Sequence, residues 1–179
     1  KLRDALVNQQ QASELALMRS QVNPHFLFNT LNNIYSLVYR KSDDAPEAVM
    51  KLSSIMRYML YDSASANVPL EKEIEYLNSF IELQNLRIKH NDFVSLKIEG
   101  NMQGLTIAPM LLISFVENAF KHSNKNHRPG ILIHLMADSG KLSFEVVNYM
   151  KKAGSGADEP SSGIGLHTIK RRLELIYPG

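Results

Sequence analysis

An α+β fold is predicted by three features of the 179-residue sequence. Helical apolar spacing fills the chain as far as Ile88 with no strand signal, the spacing changes from helical to alternating at Val94, and a Gly/Ser/Lys-rich stretch then precedes one last helix. Lys and Arg (20) nearly balance Asp and Glu (18), and a balance that even gives no electrostatic case for direct binding of nucleic acid. The absence of Cys excludes disulfide scaffolds, thiolate metal sites and thiol catalysis. No apolar run approaches the ~18–20 residues of a membrane span. The chain opens at Lys1 rather than Met, which reads as a segment of something longer.

Residues 1–23 are Gln- and Ala-rich, with Leu15, Met18 and Val22 as a narrow seam. Pro24 should disturb the helix one turn above it, because it lacks an N–H and crowds the preceding turn. At about 100° per residue, Leu27, Phe28, Leu31, Ile34, Tyr35 and Val38 then share one broad face, and His25 lies roughly 130° from its centre. Ser42-Asp43-Asp44 followed by Pro46 is a turn and helix start, and Val49, Leu52, Met56, Met59 and Leu60 continue at helical spacing. Residues 1–65 therefore read as a helical hairpin of the kind that completes a bundle by forming a homodimer. After a break at Ala66-Asn67-Val68-Pro69, a third helix carries Ile74, Leu77, Ile81 and Ile88. Val94, Leu96 and Ile98 alternate as a strand that stops at Gly100-Asn101. Pro109–Ser123 is an apolar helix. Residues 131–136 and 141–147 form a hairpin around Asp138-Ser139-Gly140. Residues 149–162 have no period and suit a lid. Gly163-Ile-Gly-Leu166 opens the final helix.

Three clusters carry chemistry. In Gln21-Val-Asn-Pro-His-Phe-Leu-Phe-Asn29, the amides Gln21 and Asn29 stand one turn either side of His25, where they can orient an imidazole that is mostly neutral at pH 7 and nucleophilic. The bland alternative is a solvated or core histidine. In Phe115-Val-Glu-Asn-Ala-Phe-Lys-His122, Asn118 and Lys121 are a turn apart, which suits an oxygen ligand for Mg²⁺ beside a cation for phosphate. The bland alternative is an exposed Glu117–Lys121 pair. Ser161-Ser-Gly-Ile-Gly-Leu166 at a helix start offers N–H groups to phosphate, with Lys170, Arg171 and Arg172 as charge partners or as a solvated basic face.

In order and spacing these clusters resemble the cytoplasmic kinase core of sensor histidine kinases of the LytS/YehU type. The matches are QxNPHFLFNxLN from Gln21 to Asn32, VENAxKH from Val116 to His122, and GIGL…RRL from Gly163 to Leu173. The resemblance implies that a phosphotransfer hairpin (1–65) precedes an ATP-binding α/β sandwich (66–179) of the Hsp90/gyrase/histidine-kinase ATPase type. It implies His25 as phosphoacceptor, Asn118 as Mg²⁺ ligand, and Lys121 and His122 beside the phosphates of ATP. Gly163, Gly165 and Leu166 would form the glycine segment below the lid. The implied partners are a second copy of the chain and a response regulator of the LytTR type, with an upstream membrane sensor segment and a cytoplasmic core. Two departures stand out. Asn148 occupies the position at which related domains carry an Asp that accepts from the adenine amino group, and the glycines after it are missing. The chain also stops at Pro178-Gly179, where related domains add strands, so an incomplete sheet is expected. A rival reading is a degenerate, non-catalytic dimeric scaffold; a Ser/Thr-directed kinase or plain ATPase on the same fold fits the intact histidine box less well.

Overall fold

Helix α1 (Pro24–Tyr39) ends where Lys41 turns to a left-handed φ of +53°. Ser42 N–H donates to the Leu37 carbonyl (2.9 Å) and Lys41 N–H to the Val38 carbonyl (3.0 Å), a Schellman closure of the last turn. The computed structural model describes residues 24–88, 92–138, 140–150 and 164–178. Helix α2 (Ala45–Leu60) opens behind Asp44, with a Pro in its first turn and the Ser42 hydroxyl bonded to the Asp44 carboxylate. The short connection folds α2 back against α1, as expected for a hairpin. The seam Leu15–Val22 and any effect of Pro24 on the turn above it lie outside the described residues.

The faces these helices bury differ from those their spacing predicts. In α1, Phe26, Thr30, Ile34 and Leu37 are buried, whereas Phe28, Leu31, Tyr35 and Val38 are 52–70% exposed. In α2 the buried set is Ala45, Ala48, Leu52, Ile55 and Tyr58, while Val49, Met50, Met56 and Leu60 are exposed. The physical reason is that both helices are apolar on more than one side. The third helix, α3 (Leu70–Ile88), covers one side and leaves the other open. Two ion pairs, Lys51–Glu82 and Lys72–Asp62, line the α2–α3 seam, where exposed pairs add little stability.

Two short strands, β1 (Val68–Pro69) and β3 (Thr106–Ile107), pair antiparallel and brace the start of α3, whose Leu70 N–H donates to the Leu105 carbonyl at 2.9 Å. The main sheet has the order β2 (Val94–Gly100), β4 (Ile131–Asp138), β5 (Lys141–Asn148). β2 runs parallel to β4, with Val94 opposite Ile131 and Gly100 opposite Ala137; β4 and β5 are antiparallel, with Ile131 opposite Asn148. Gly140 (φ +79°) makes the β4–β5 turn. Gly100 (φ +93°) permits close pairing, since a Cβ there would lie 1.9 Å from the Ala137 oxygen.

Ile131, Ile133, Leu135 and Ala137 point inward and are buried; Leu132 and Met136 alternate outward and are exposed. The core they form is shared with α4 (Leu111–His122), which buries Leu111, Leu112, Ile113, Val116, Ala119 and Phe120. A line of aromatic rings crosses it: Phe26 of α1 stacks on Phe80 of α3 (4.9 Å), and Phe80 meets Phe120 of α4 edge-on (5.8 Å). Phe120 in turn lies 5.8 Å from Phe93, just ahead of β2. Helix α5 (Ile164–Ile176) packs on α4, and the hydroxyl of Tyr177 just beyond it accepts from Ala108 N–H at 3.0 Å. Helices followed by a mixed sheet make the fold α+β. No helix among the described residues is long and apolar enough to cross a membrane.

Candidate active site

Helix α4 carries the second of the sequence clusters. Its buried residues occupy one side; Ser114, Asn118 and Lys121 recur at helical spacing on the other. Asn118 and His122 are half-buried and Lys121 is exposed. Glu117 does not stand simply as an exposed partner for Lys121. It is half-buried and near enough to Tyr76 of α3 to help burial push that hydroxyl's pKa up.

Two other elements flank this polar stripe. β5 runs beside it, with Phe115 edge-on to Phe144 at 6.0 Å. The end of β5 is tied to the end of α4: Asn124 N–H donates to the Tyr149 carbonyl (2.6 Å), Ser123 bridges Met150, and the His127 ring stacks on Tyr149 at 3.7 Å. Asn148 therefore stands within a few residues of the C-terminus of α4. It is half-buried, and its Nδ2 has no hydrogen-bond partner. On the other flank, α5 begins at Ile164, so Gly165 lies in its first turn, and Leu166 is 56% exposed. Gly163, Gln21 and most of the lid stretch 149–162 lie outside the described residues, as does the side chain of His25 in the first turn of α1. Asn29 is half-buried. Phe26, the residue after His25, is buried against Phe80, whose other neighbour Phe120 precedes Lys121.

The donor set fits a hard cation held chiefly by phosphate. Among the described residues no group of three or more His, Asp or Glu gathers into a metal cage. Mg²⁺ between phosphate oxygens needs only one or two protein oxygens, which the Asn118 amide can supply. The Asn148 Nδ2 is a buried donor without a hydrogen-bond partner.

Sequence reasoning missed a buried polar cluster at the other end of α4. Glu73 of α3 is fully buried, accepts from the Tyr58 hydroxyl of α2 (2.5 Å), and caps α4 by accepting from the Met110 N–H and the Leu112 N–H (3.3 Å). Met110 sits at φ +58° and no side-chain cap of its own serves α4. Arg172 of α5, 5% exposed, donates to the carbonyls of Met110 (3.0 Å) and Pro109 (2.5 Å). The basic run thus divides: Lys170 and Arg171 are exposed, and Arg172 is built into the interior. Burial raises the Glu73 carboxyl above its ordinary range, and the donors from Tyr58, Met110 and Leu112 and the charge of Arg172 offset this in part. One signal for Glu73 was available. It is three residues after Leu70 and four before Leu77, on the apolar stripe of α3 rather than opposite it.

Comparison with known proteins shows what the chain is similar to. A family model described as histidine kinase matches residues 13–92. "Sensor protein LytS" of Staphylococcus saprophyticus is 28% identical over 178 residues, covering 92% of this chain and 30% of that protein. "Sensor histidine kinase/phosphatase LytS" of Staphylococcus aureus strain MRSA252 is 30% identical over 178 residues with the same coverage, and "Sensor protein LytS" of Bacillus subtilis strain 168 is 29% identical over 150 residues, covering 83% and 24%. The chain spans about 30% of the length of the first two of these relatives. With the α+β architecture and the boxes around His25 and Asn118, these matches support a histidine kinase of the LytS type as what the chain is similar to.

Proposed function

We propose that this chain is the kinase core of a two-component sensor. It binds Mg²⁺–ATP, transfers a phosphoryl group to His25, and hands it to an aspartate of a separate response regulator, for which the LytTR type is our choice. The relatives' names say sensor and, for one, histidine kinase/phosphatase; the transfer steps are our reading for this chain. The observation that carries it is the gathering at α4 of two of the sequence clusters and the Asn148 position: Asn118 and Lys121 on its polar stripe, Asn148 at its C-terminal flank, and the helix carrying Gly165 beside it. The nucleotide, when bound, supplies the phosphoryl group and Mg²⁺ the charge that neutralises it. Asn118 would hold the cation through its amide oxygen, and Lys121 and His122 would stand beside the phosphates with the N–H groups around Gly163, Gly165 and Leu166. Gln21 and Asn29 would orient the His25 imidazole so that one nitrogen keeps a free lone pair.

We divide the work between residues 1–65, which dimerise and carry the acceptor, and 66–179, which bind ATP. The exposed apolar side of the hairpin, with Phe28, Leu31, Tyr35 and Val38 from α1 and Met50, Met56 and Leu60 from α2, supports a homodimer that closes a bundle. A membrane-associated sensor segment elsewhere in the whole protein, with this core on its cytoplasmic side, completes the proposal.

Replacing His25 by Gln tests the acceptor directly. We expect acid-labile, alkali-stable phosphate incorporation from ATP to vanish while dimerisation and nucleotide affinity persist; full labelling of the variant, with His122→Gln and His167→Gln as controls, would sink the mechanism. One observation favours the scaffold reading: an amide, not a carboxylate, stands at position 148. If base recognition is weakened there, Asn148→Asp should tighten ATP binding about tenfold by making a neutral hydrogen bond charge-assisted. Titration calorimetry on both proteins decides, and an unmeasurable affinity in both would favour the scaffold.

A further inference from the structure

We propose that Glu73 and Arg172 are positioning residues that clamp the N-terminal turn of the Asn118 helix, and that Tyr58 links this clamp to the hairpin. The inference rests on the kinase reading above and names the regulation of that same site.

Three helices meet at one carboxylate, and a fourth grips the turn that it caps. The first N–H groups of any helix have no partner within it, and a side chain at its own N-cap usually serves them. α4 is different: two of its first-turn donors, Met110 and Leu112, go to Glu73, 37 and 39 residues away. On the opposite side of the same turn, Arg172 holds the carbonyls of Pro109 and Met110. A shift of α4 along its axis must break bonds to α3 or to α5. Asn118 lies two turns further along the same rigid helix, so the clamp fixes where its amide stands relative to the glycine segment that opens α5.

Tyr58 brings in α2. Its hydroxyl bonds Glu73 Oε1, the same oxygen that takes the Met110 N–H, and its ring stacks on Tyr76 at 4.6 Å. The bond is buried, with Glu73 fully enclosed, and it lies beside an open cleft of about 500 Å³ between α2 and α3 that Tyr58 and Tyr76 help to line. Burying a carboxylate is costly, and an apolar residue could fill the same space. What an apolar residue cannot do is hold two N–H groups of a helix end and a hydroxyl at fixed angles. Sliding of α2 within the hairpin therefore reaches α4 through Glu73.

Three variants test this. Glu73→Gln removes the carboxylate acceptor from Leu112 N–H, and Arg172→Lys keeps the charge but loses the two-pronged grip. Both should speed amide hydrogen exchange at Met110 and Leu112 about tenfold, the equivalent of one hydrogen bond to a charged group, while Ser143→Ala on the outer face of β5 leaves it unchanged. Exchange is read on the nucleotide-free chain, so a parent that fails to label would sink the kinase reading and leave this arm intact. Tyr58→Phe keeps the stacked ring and should hold Mg²⁺–ATP affinity within about twofold, with His25 labelling at saturating nucleotide slowed about tenfold. Exchange within twofold of the parent in Arg172→Lys, which also serves if Glu73→Gln does not fold, overturns the clamp. A parental labelling rate in Tyr58→Phe, or an equal loss of protection across all core amides, overturns the link.

Discussion

Two of the contacts that join the hairpin to the α/β part of the chain are made of opposite materials. At one end, Phe26, Phe80 and Phe120 form a dry line of rings; at the other, Tyr58 donates to Glu73, which caps α4. Ring packing is roughly proportional to area and tolerates small rotations, so it holds α1 near α4 without fixing its angle. The carboxylate cluster covers little area but weakens steeply when a donor turns away. Proximity and orientation are thus supplied by different residues of the same two helices, α3 and α4.

The difference can be broken from either side. The largest expected effect is at Phe80, 1% exposed and central to the line: Phe80→Ala should lose about 3–5 kcal/mol in urea unfolding, the usual cost of emptying a buried aromatic site. A loss under about 1 kcal/mol would mean the rings do not hold the two parts together.

A middle-sized effect separates the polar link by pH. Burial raises the folded pKa of Glu73 above its ordinary 4.5; Tyr58, the α4 amides and Arg172 pull the other way without cancelling it. A raised folded pKa gives stability that is fully present below the unfolded value and is lost as pH rises through the folded one. Glu73→Gln does not titrate, so the stability of the parent minus that of the variant should be largest at the acid end and shrink as pH rises from about 4.5. Thermal unfolding of both proteins across that range checks it, and a difference that grows with pH would reverse the assignment. The smallest effect lies outside both links and calibrates them. Lys41 closes α1 at φ +53°, so Lys41→Gly should gain about 1 kcal/mol by removing left-handed strain, with no change in exchange at Met110.

Legibility followed the same division. The strands and their turns could be read because alternation and the glycines at 100 and 140 are local signals, and β2, β4 and β5 appear where the period changes. The two-residue strands β1 and β3 are too short to show any period. In α1 the largest apolar set was visible, but which of two apolar sides meets α3 depends on a helix forty residues away, and Phe26 and Leu37 won over Phe28 and Val38. The boxes around His25 and Asn118 were legible as sequence; Glu73 offered only its place on the apolar stripe of α3, and Arg172 offered nothing, because a charged residue in a helix looks the same whether it is solvated or buried with a partner.

The parallel pairing of β2 with β4 has a consequence for how the chain is made. β4 is the only neighbour of β2 among the described residues, and Val94 must wait for Ile131. During synthesis the hairpin and α3 can close on themselves early, since their contacts are near in sequence. β2 emerges with no partner until the whole of α4 and the following loop have left the ribosome. At about 5–20 residues per second that wait lasts seconds, long enough for an unpaired apolar strand to meet a chaperone or another nascent chain.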